Sequence, residues 1–359
     1  MFVILGAMSI VRTLSSPVIV APMAGGPSTP ALVDAAAAAG SLGFLAGGYL
    51  GAGELDGQMR SVHGGAYGVN LFCPQRAASS VELAAVRTYV EQLGPSLSRY
   101  GITAADLIGR LGTVDPTDAF AAKLEAVCAA RAGGYGPAVV SCTFGVWNDA
   151  EVERLHGHGI EVWATVADVR AVPPAVSAGV DVIVVQGPGA GGHRATRTVE
   201  ETPSDVPLEV LAGEVADVVD LPLVVAGGLG TPAEVAAALR WPGVCAVSCG
   251  SALLLADEAG TSQPHRDMVR GARECPDTAV TRAYSGRPAR GVRTGFMTER
   301  TDAPAVYPYV NAVMGPVRSA AARSGDHDLV AAWVGTGVPH IRSGPAVDIL
   351  RWLAGTGEA

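Results

Sequence analysis

The sequence lacks a Cys-x-x-Cys pair, a Walker phosphate loop, a Gly-x-Ser-x-Gly elbow and any visible pair of catalytic carboxylates. These absences point away from thiol redox motifs, P-loop hydrolysis and serine or paired-carboxylate hydrolysis. Clusters of lysine and arginine are also missing, and the formal net charge is -9. That balance speaks against nucleic acid as a partner. Cys73, Cys128, Cys142, Cys245, Cys249 and Cys275 show no metal-ligand spacing with each other or with histidine. They read as buried structural thiols, with no metal site, in a protein of the reducing cytoplasm. No apolar run is long enough to span a membrane. Residues 1–10 are apolar but short, without a basic leader or a clear cleavage site. They read as a lead-in to the first strand, or as residues upstream of a start at Met8.

What is present is apolar and rich in glycine. Hydrophobic residues make up 49% of 359 positions and charged residues only 16%, enough for a sizeable buried core. Eight short β-branched runs stand out, at 18–23, 42–48, 66–72, 138–145, 160–167, 181–187, 221–228 and 245–250. Most are continuous rather than alternating, as in parallel strands buried on both faces. Helical patterns follow most of them. Thr29 with Pro30 opens one at 31–39, and Thr231-Pro232 with Glu234 opens another at 231–240. Eight such units predict an α/β fold, a (β/α)8 TIM barrel over residues 15–270. A doubly wound sheet is the other arrangement this pattern allows. After the third strand, residues 79–112 are expected to form a helical insertion packed against the barrel. Residues 271–359 are expected to form a C-terminal extension near the mouth, with a helix around 313–322.

The most informative stretch is 181–194, where a strand ends in Gln186 and runs through small residues to His193. Gly187, Gly189 and Gly192 satisfy Gly-x-Gly-x-x-Gly, but the following residues are polar and β-branched rather than helical. A dinucleotide fingerprint needs a helix there. A cofactor loop of another α/β fold accounts for the stretch better, and a plain glycine-rich turn remains open.

In a barrel, chemistry gathers at the C-terminal strand ends. Gly227, Gly228, Gly250 and Ser251 sit at the ends of the seventh and eighth strands, where backbone N–H groups can hold a phosphate. The alternative is that these glycines only make tight turns. Asn70 and Gln186 carry donor and acceptor together, which suits the edge of an isoalloxazine ring and equally suits a satisfied inward amide. With a phosphate site beside them, flavin mononucleotide is the natural ligand. His193 can serve as a base, as a donor to an anionic substrate, or as an ordinary loop residue. Its place at the mouth favours the substrate. The remaining histidines, His265 among them, are expected on helix or loop surfaces.

These residues resemble the nitronate monooxygenases, formerly 2-nitropropane dioxygenases. The likeness covers Ala21-Pro22-Met23, Gly48-Tyr49-Leu50, Val69-Asn70-Leu71-Phe72, Val140-Ser141 with Phe144-Gly145, and Gln186-Gly187 with Ala190-Gly191-Gly192-His193-Arg194. It continues through Ala226-Gly227-Gly228, Gly250-Ser251 and the run from Ala283 to Gly291. The resemblance implies an FMN-dependent barrel enzyme that converts an alkyl nitronate and dioxygen into a carbonyl compound and nitrite. It assigns FMN binding to Asn70, Gln186, Gly191, Gly228, Ser248, Cys249, Gly250 and Ser251. Met23 and Ala24 lie near the ring, and His193 faces the substrate. Two places depart from the family pattern. Cys142-Thr143 stands where Phe-His is common, and Ser248-Cys249-Gly250-Ser251 stands where Gln-Met/Leu-Gly-Thr is common. The same barrel occurs in flavin enoyl-thioester and NAD(P)H:quinone reductases, which is the alternative activity. A flavin-free isomerase or lyase holding a phosphorylated metabolite is a rival of another class. The oligomeric state is left open.

Overall fold

The computed structural model describes residues 9–357, so the apolar leader at 1–8 lies outside the described residues. The barrel strands are β1 (Val18–Val20), β2 (Phe44–Ala46), β3 (Gly68–Phe72), β4 (Val139–Thr143), β5 (Glu161–Val166) and β6 (Val182–Gln186). After β7 (Gly192–His193) come two more, β8 (Leu223–Ala226) and β9 (Val244–Cys249). The eight barrel strands are all parallel, in the order β1-β9-β8-β6-β5-β4-β3-β2. A parallel bridge between Val20 and Gly43 joins the two ends of that order. The fold is the expected TIM barrel.

Strand periodicity sorts the side chains into two cores. Ile19, Phe44, Val139, Trp163, Val182, Val224 and Ala246 point inward and plug the lower lumen. Their neighbours in sequence, such as Val18, Leu45, Val140, Ile183 and Val225, point outward to the helices. Gly68 is glycine because a Cβ there would lie 2.3 Å from the Phe44 ring. The two expected helix starts are present. Thr29 accepts the Leu32 N–H ahead of Pro30–Ala38, and Thr231 forms a capping box with Glu234 ahead of Pro232–Ala238.

Three packing details differ from expectation. The insertion, built on helices Ser80–Gln92 and Ala104–Gly109, rests on the later helix Tyr309–Ser324 rather than on the barrel. Val86, Val90, Leu107, Val310 and Val313 share a second apolar core there. An amphipathic face predicts burial but does not name the partner, which here comes from more than 200 positions away. His265 is buried, with Nε2 2.9 Å from the Trp333 carbonyl, instead of lying on a surface. Cys245 is only partly buried and Cys275 is exposed, so not every thiol belongs to a core. The last helix, Ala346–Leu353, returns to the barrel flank, where Ile349 and Leu350 join the outer core.

Candidate active site

Above the apolar plug, the inward strand positions turn polar. Asn70 and Ser141 are buried, and Gln186 ends β6. Asn70 Nδ2 donates to Ser141 Oγ at 2.9 Å and to Thr143 Oγ1 at 3.1 Å. Both amide protons are thereby used, and Oδ1 is left to accept. Gln186 turns its amide to the chain that follows it. Nε2 donates to the His193 carbonyl at 3.1 Å, and Oε1 accepts the Ala195 N–H at 2.8 Å. Its first role is therefore to fix the loop, with one N–H and one lone pair to spare.

That fixing matters because His193 is not in a loose loop. It lies in β7, which pairs with β11 (Ala289–Val292), itself paired with β10 (Thr278–Thr281). The C-terminal region thus supplies the sheet that holds the histidine. The ring is half-buried among Phe144, Tyr307 and Trp333, at centroid distances of 5.6, 5.8 and 5.5 Å. Nε2 lies 2.9 Å from Ser285 Oγ. Ser285 gives its own proton to the Arg287 carbonyl, so Nε2 carries the ring proton and Nδ1 is the free acceptor. Burial, reinforced by Arg287 and Arg318, pulls the His193 pKa down to about 3. The ring is neutral at physiological pH.

The surroundings are cationic, with Glu201 acting on Arg287 and Asp205 on Arg194 but neither carboxylate close enough to form an ion pair with its arginine. Arg287 is fully buried, stacks 4.0 Å from the Phe144 ring centroid, and donates to Gln75 Oε1 and the Thr196 carbonyl. Arg194 is 1% exposed, and its side chain donates only to the Ser204 carbonyl. Nε of Arg287, and Nε and Nη1 of Arg194, have no partner. Arg318 donates to the Tyr284 carbonyl and to Asn311 Oδ1. None of these three arginines takes part in an ion pair of the described residues. Burial lowers Arg194 and Arg287 to about 10, which still leaves both charged at neutral pH. Buried cations of this kind call for an anion.

Beside them, four glycines from three chain segments meet. A Cβ on Gly191 would lie 2.5 Å from the Gly335 nitrogen, and one on Gly189 would lie 2.6 Å from Thr336 Oγ1. A Cβ on Gly228 would lie 2.8 Å from the same hydroxyl. Ser251 Oγ accepts the Gly335 N–H at 2.8 Å. The N–H groups of Gly228, Gly250 and Ser251 donate to no acceptor among the described residues. Met23 lies over Gly250, and Ala24 packs against the cluster of Phe72, Phe144 and Tyr307. Ser248 is buried at an inward position, whereas the neighbouring Cys249 thiol faces outward to the Leu229 carbonyl at 3.6 Å. Cys249 therefore offers the site only its backbone.

The sequence reading missed Ser285, Arg287, Tyr307 and the Gly335-Thr336 clasp as parts of this site. A signal was available for the clasp, since Trp333-Val-Gly-Thr-Gly337 repeats the small-residue character of the strand-end loops. Among the described residues, no three His, Cys, Asp or Glu side chains gather to hold a metal ion, and no helix is long and apolar enough to cross a membrane.

Comparison with known proteins agrees with this geometry. The family model for nitronate monooxygenase matches residues 8–353. A nitronate monooxygenase of Pseudomonas aeruginosa is 32% identical over 356 residues, covering 95% of each chain. A probable nitronate monooxygenase of Staphylococcus aureus is 30% identical over 332 residues, covering 90% of this chain and 89% of its own. Among solved structures, nitroalkane oxidase from Streptomyces ansochromogenes aligns with a TM-score of 0.85 and 32% identity, over 96% of both chains. FabK from Thermotoga maritima shares the fold at a TM-score of 0.68 and 20% identity, over 96% of this chain and 94% of its own.

Proposed function

This chain belongs to the nitronate monooxygenase family, and from that premise we propose that it oxidises alkyl nitronates with dioxygen, on flavin mononucleotide, to a carbonyl compound and nitrite. The observation that carries this reading is the unpaired positive charge around a neutral histidine. Arg287, buried, and Arg318, partly buried, both act on His193, and neither forms an ion pair with a carboxylate among the described residues. A nitronate is an anion, and in this low-dielectric pocket it supplies the missing negative charge.

The residues present fit the flavin at its phosphate end. Glycine at 191 and 228 lets these loops close on Gly335 and Thr336, and the Gly228, Gly250 and Ser251 backbone N–H groups are free to donate to a phosphate. Asn70 Oδ1 and the remaining capacity of Gln186 suit the ring edge. When bound, the flavin supplies the acceptor for the substrate's electrons and their route to dioxygen.

The protein's own part is electrostatic and positional. Phe144, Tyr307 and Trp333 exclude water around His193. Gln186, Ser285 and β11 fix the imidazole in place. A preformed nitronate needs no base, and the ring, whose one N–H is committed to Ser285, bounds the pocket beside it. A neutral nitroalkane needs one, and Nδ1 is the atom that can take the α-proton. Free thiols throughout and the lack of a described membrane-crossing helix support a cytoplasmic site of action.

The test is nitrite release from propyl-2-nitronate by the aerated, flavin-loaded protein. Nitrite and acetone in equal amounts are expected. No nitrite at saturating nitronate rejects the proposal. With neutral 2-nitropropane as substrate, His193→Asn is expected to keep flavin and lower turnover by about 100-fold, the range for loss of a positioned acid–base group.

A further inference from the structure

Next to the histidine lies a cavity of about 180 Å³ whose lining includes neither His193 nor any residue assigned to the flavin. It shares Phe72 and Tyr307 with the histidine's aromatic surroundings, since Tyr307 touches His193 and Phe72 stacks on Phe144. Val114, Pro116, Pro308 and Ala312 add apolar wall, while Gln75, Asp115, Asp118 and Asn311 add polar groups. Tyr49 stands at its outer side, 40% exposed, with its hydroxyl 3.5 Å from that of Tyr307.

The backbone around this cavity is strained. Four non-glycine residues have positive φ among the described residues, namely Tyr49 (69°), Asp118 (53°), Ala119 (51°) and Phe144 (75°). Two of them line the cavity and one touches His193. Strain of this kind persists only where surrounding contacts hold it, and it gathers at functional sites. The holding contact is identifiable. Asp118 Oδ1 accepts the Tyr49 N–H at 3.1 Å, while Oδ2 takes the Lys123 ammonium at 2.6 Å. Lys123 is the only lysine in the sequence and is 1% exposed.

We propose that this cavity receives the tail of the substrate, an uncharged unbranched alkyl chain, and that the Asp118–Lys123 pair positions Tyr49 as its outer wall. At about 30 Å³ for a water-sized group, the space holds about six. Lys123 pairs with Asp118, the Thr117 and Ala119 N–H groups cap Asp115, and Arg287 and Arg318 hold Gln75 and Asn311, so the polar groups of the wall are already engaged and a charged tail gains little there. A chain leaving the nitro-bearing carbon at His193 passes Phe72 and Tyr307 to enter. The inference rests on the nitronate reading of the His193 site.

The experiment measures kcat/KM for the primary nitronates from ethyl to octyl in the flavin-loaded protein. Wild type is expected to gain about fourfold per added methylene until the cavity is full, then to level off or fall. Ala312→Phe fills the cavity and is expected to cut the pentyl-to-ethyl ratio at least tenfold. Tyr49→Ala opens the wall and moves the optimum to longer chains. Lys123→Met frees Asp118 and is expected to mimic Tyr49→Ala through KM rather than kcat. Asp118→Asn with Lys123→Met removes both charges while keeping the Oδ1 acceptor, and is expected to restore the wild-type profile. Identical chain-length profiles in wild type, Ala312→Phe and Tyr49→Ala overturn the proposal. If no nitronate reacts, the nitronate reading has failed, and the cavity is read separately. A crystal soaked with 1-pentanol should hold the alcohol between Phe72 and Ala312, and a cavity empty of it rejects the tail site.

Discussion

The two halves of the barrel lumen are built on opposite terms. The lower half is a plug of Ile19, Phe44, Val139, Trp163 and Val182, with Phe44 and Trp163 stacked at 5.4 Å. Its polar exception, the Trp163 indole N–H, donates to Glu161 Oε1 at 2.7 Å. The upper half holds amides, hydroxyls, positive-φ residues and arginine protons without partners. A sequence selected for stability alone would satisfy both halves equally. The difference teaches that the strands spend one end on packing and leave the other to a ligand.

The sharpest way to break the comparison is to exchange losses between the halves. Trp163→Ala empties the lower plug and is expected to cost ~3–5 kcal/mol of unfolding free energy, read from denaturant midpoints. Arg287→Met, in the upper half, is expected to lower kcat/KM for a nitronate by about 30- to 100-fold, about 2–3 kcal/mol, while moving the denaturant midpoint much less. A midpoint shift as large as that of Trp163→Ala would erase the distinction. Gly191→Ala pushes a methyl group to 2.5 Å from the Gly335 nitrogen. Flavin affinity, followed by visible absorbance after dialysis, is expected to drop by about tenfold or more, a loss of ~1.4 kcal/mol.

Acid sharpens the contrast further. His193 and His265 have folded pKa values of about 3 and about 4, because burial disfavours their charged forms. The unfolded chain therefore binds more protons, so their contribution is intact above about pH 6.5 and is lost as pH falls toward 4 and 3. Each ring is expected to remove up to about 1.4 kcal/mol of stability per pH unit in that window. His265→Gln should flatten the acid limb of a stability–pH curve. Turnover of a preformed nitronate should show no ionisation of His193 between pH 5 and 8. The smallest effect is outside both halves. Gly53 lies in helix Ala52–Arg60 with open space around it, and Gly53→Ala is expected to add ~0.4–1 kcal/mol.

The barrel was legible in the sequence because strands buried on both faces read as continuous apolar runs, and because Thr29 and Thr231 mark helix starts by local chemistry. Asn70, Gln186 and His193 were legible as candidates for the same reason, since each lies within, at the end of or shortly after a readable strand. Their hydrogen bonds were not. Gln186 looked free to meet a ligand, yet it closes on a carbonyl seven residues onward. Ser285, Arg287, Tyr307 and Gly335 reach the site from segments distant in sequence from His193, beside the β7–β11 pairing. Long-range packing of that kind leaves no periodicity to read. The same holds for His265, whose partner carbonyl is 68 positions away.

The central claim is that electrons enter the upper half from an anionic nitronate. Anaerobic mixing of the flavin-loaded protein with propyl-2-nitronate, and separately with NADH or NADPH, tests it most directly. The account predicts loss of the oxidised flavin absorbance with the nitronate and none with either nicotinamide. Bleaching by a nicotinamide alone, with the nitronate inert, would contradict it.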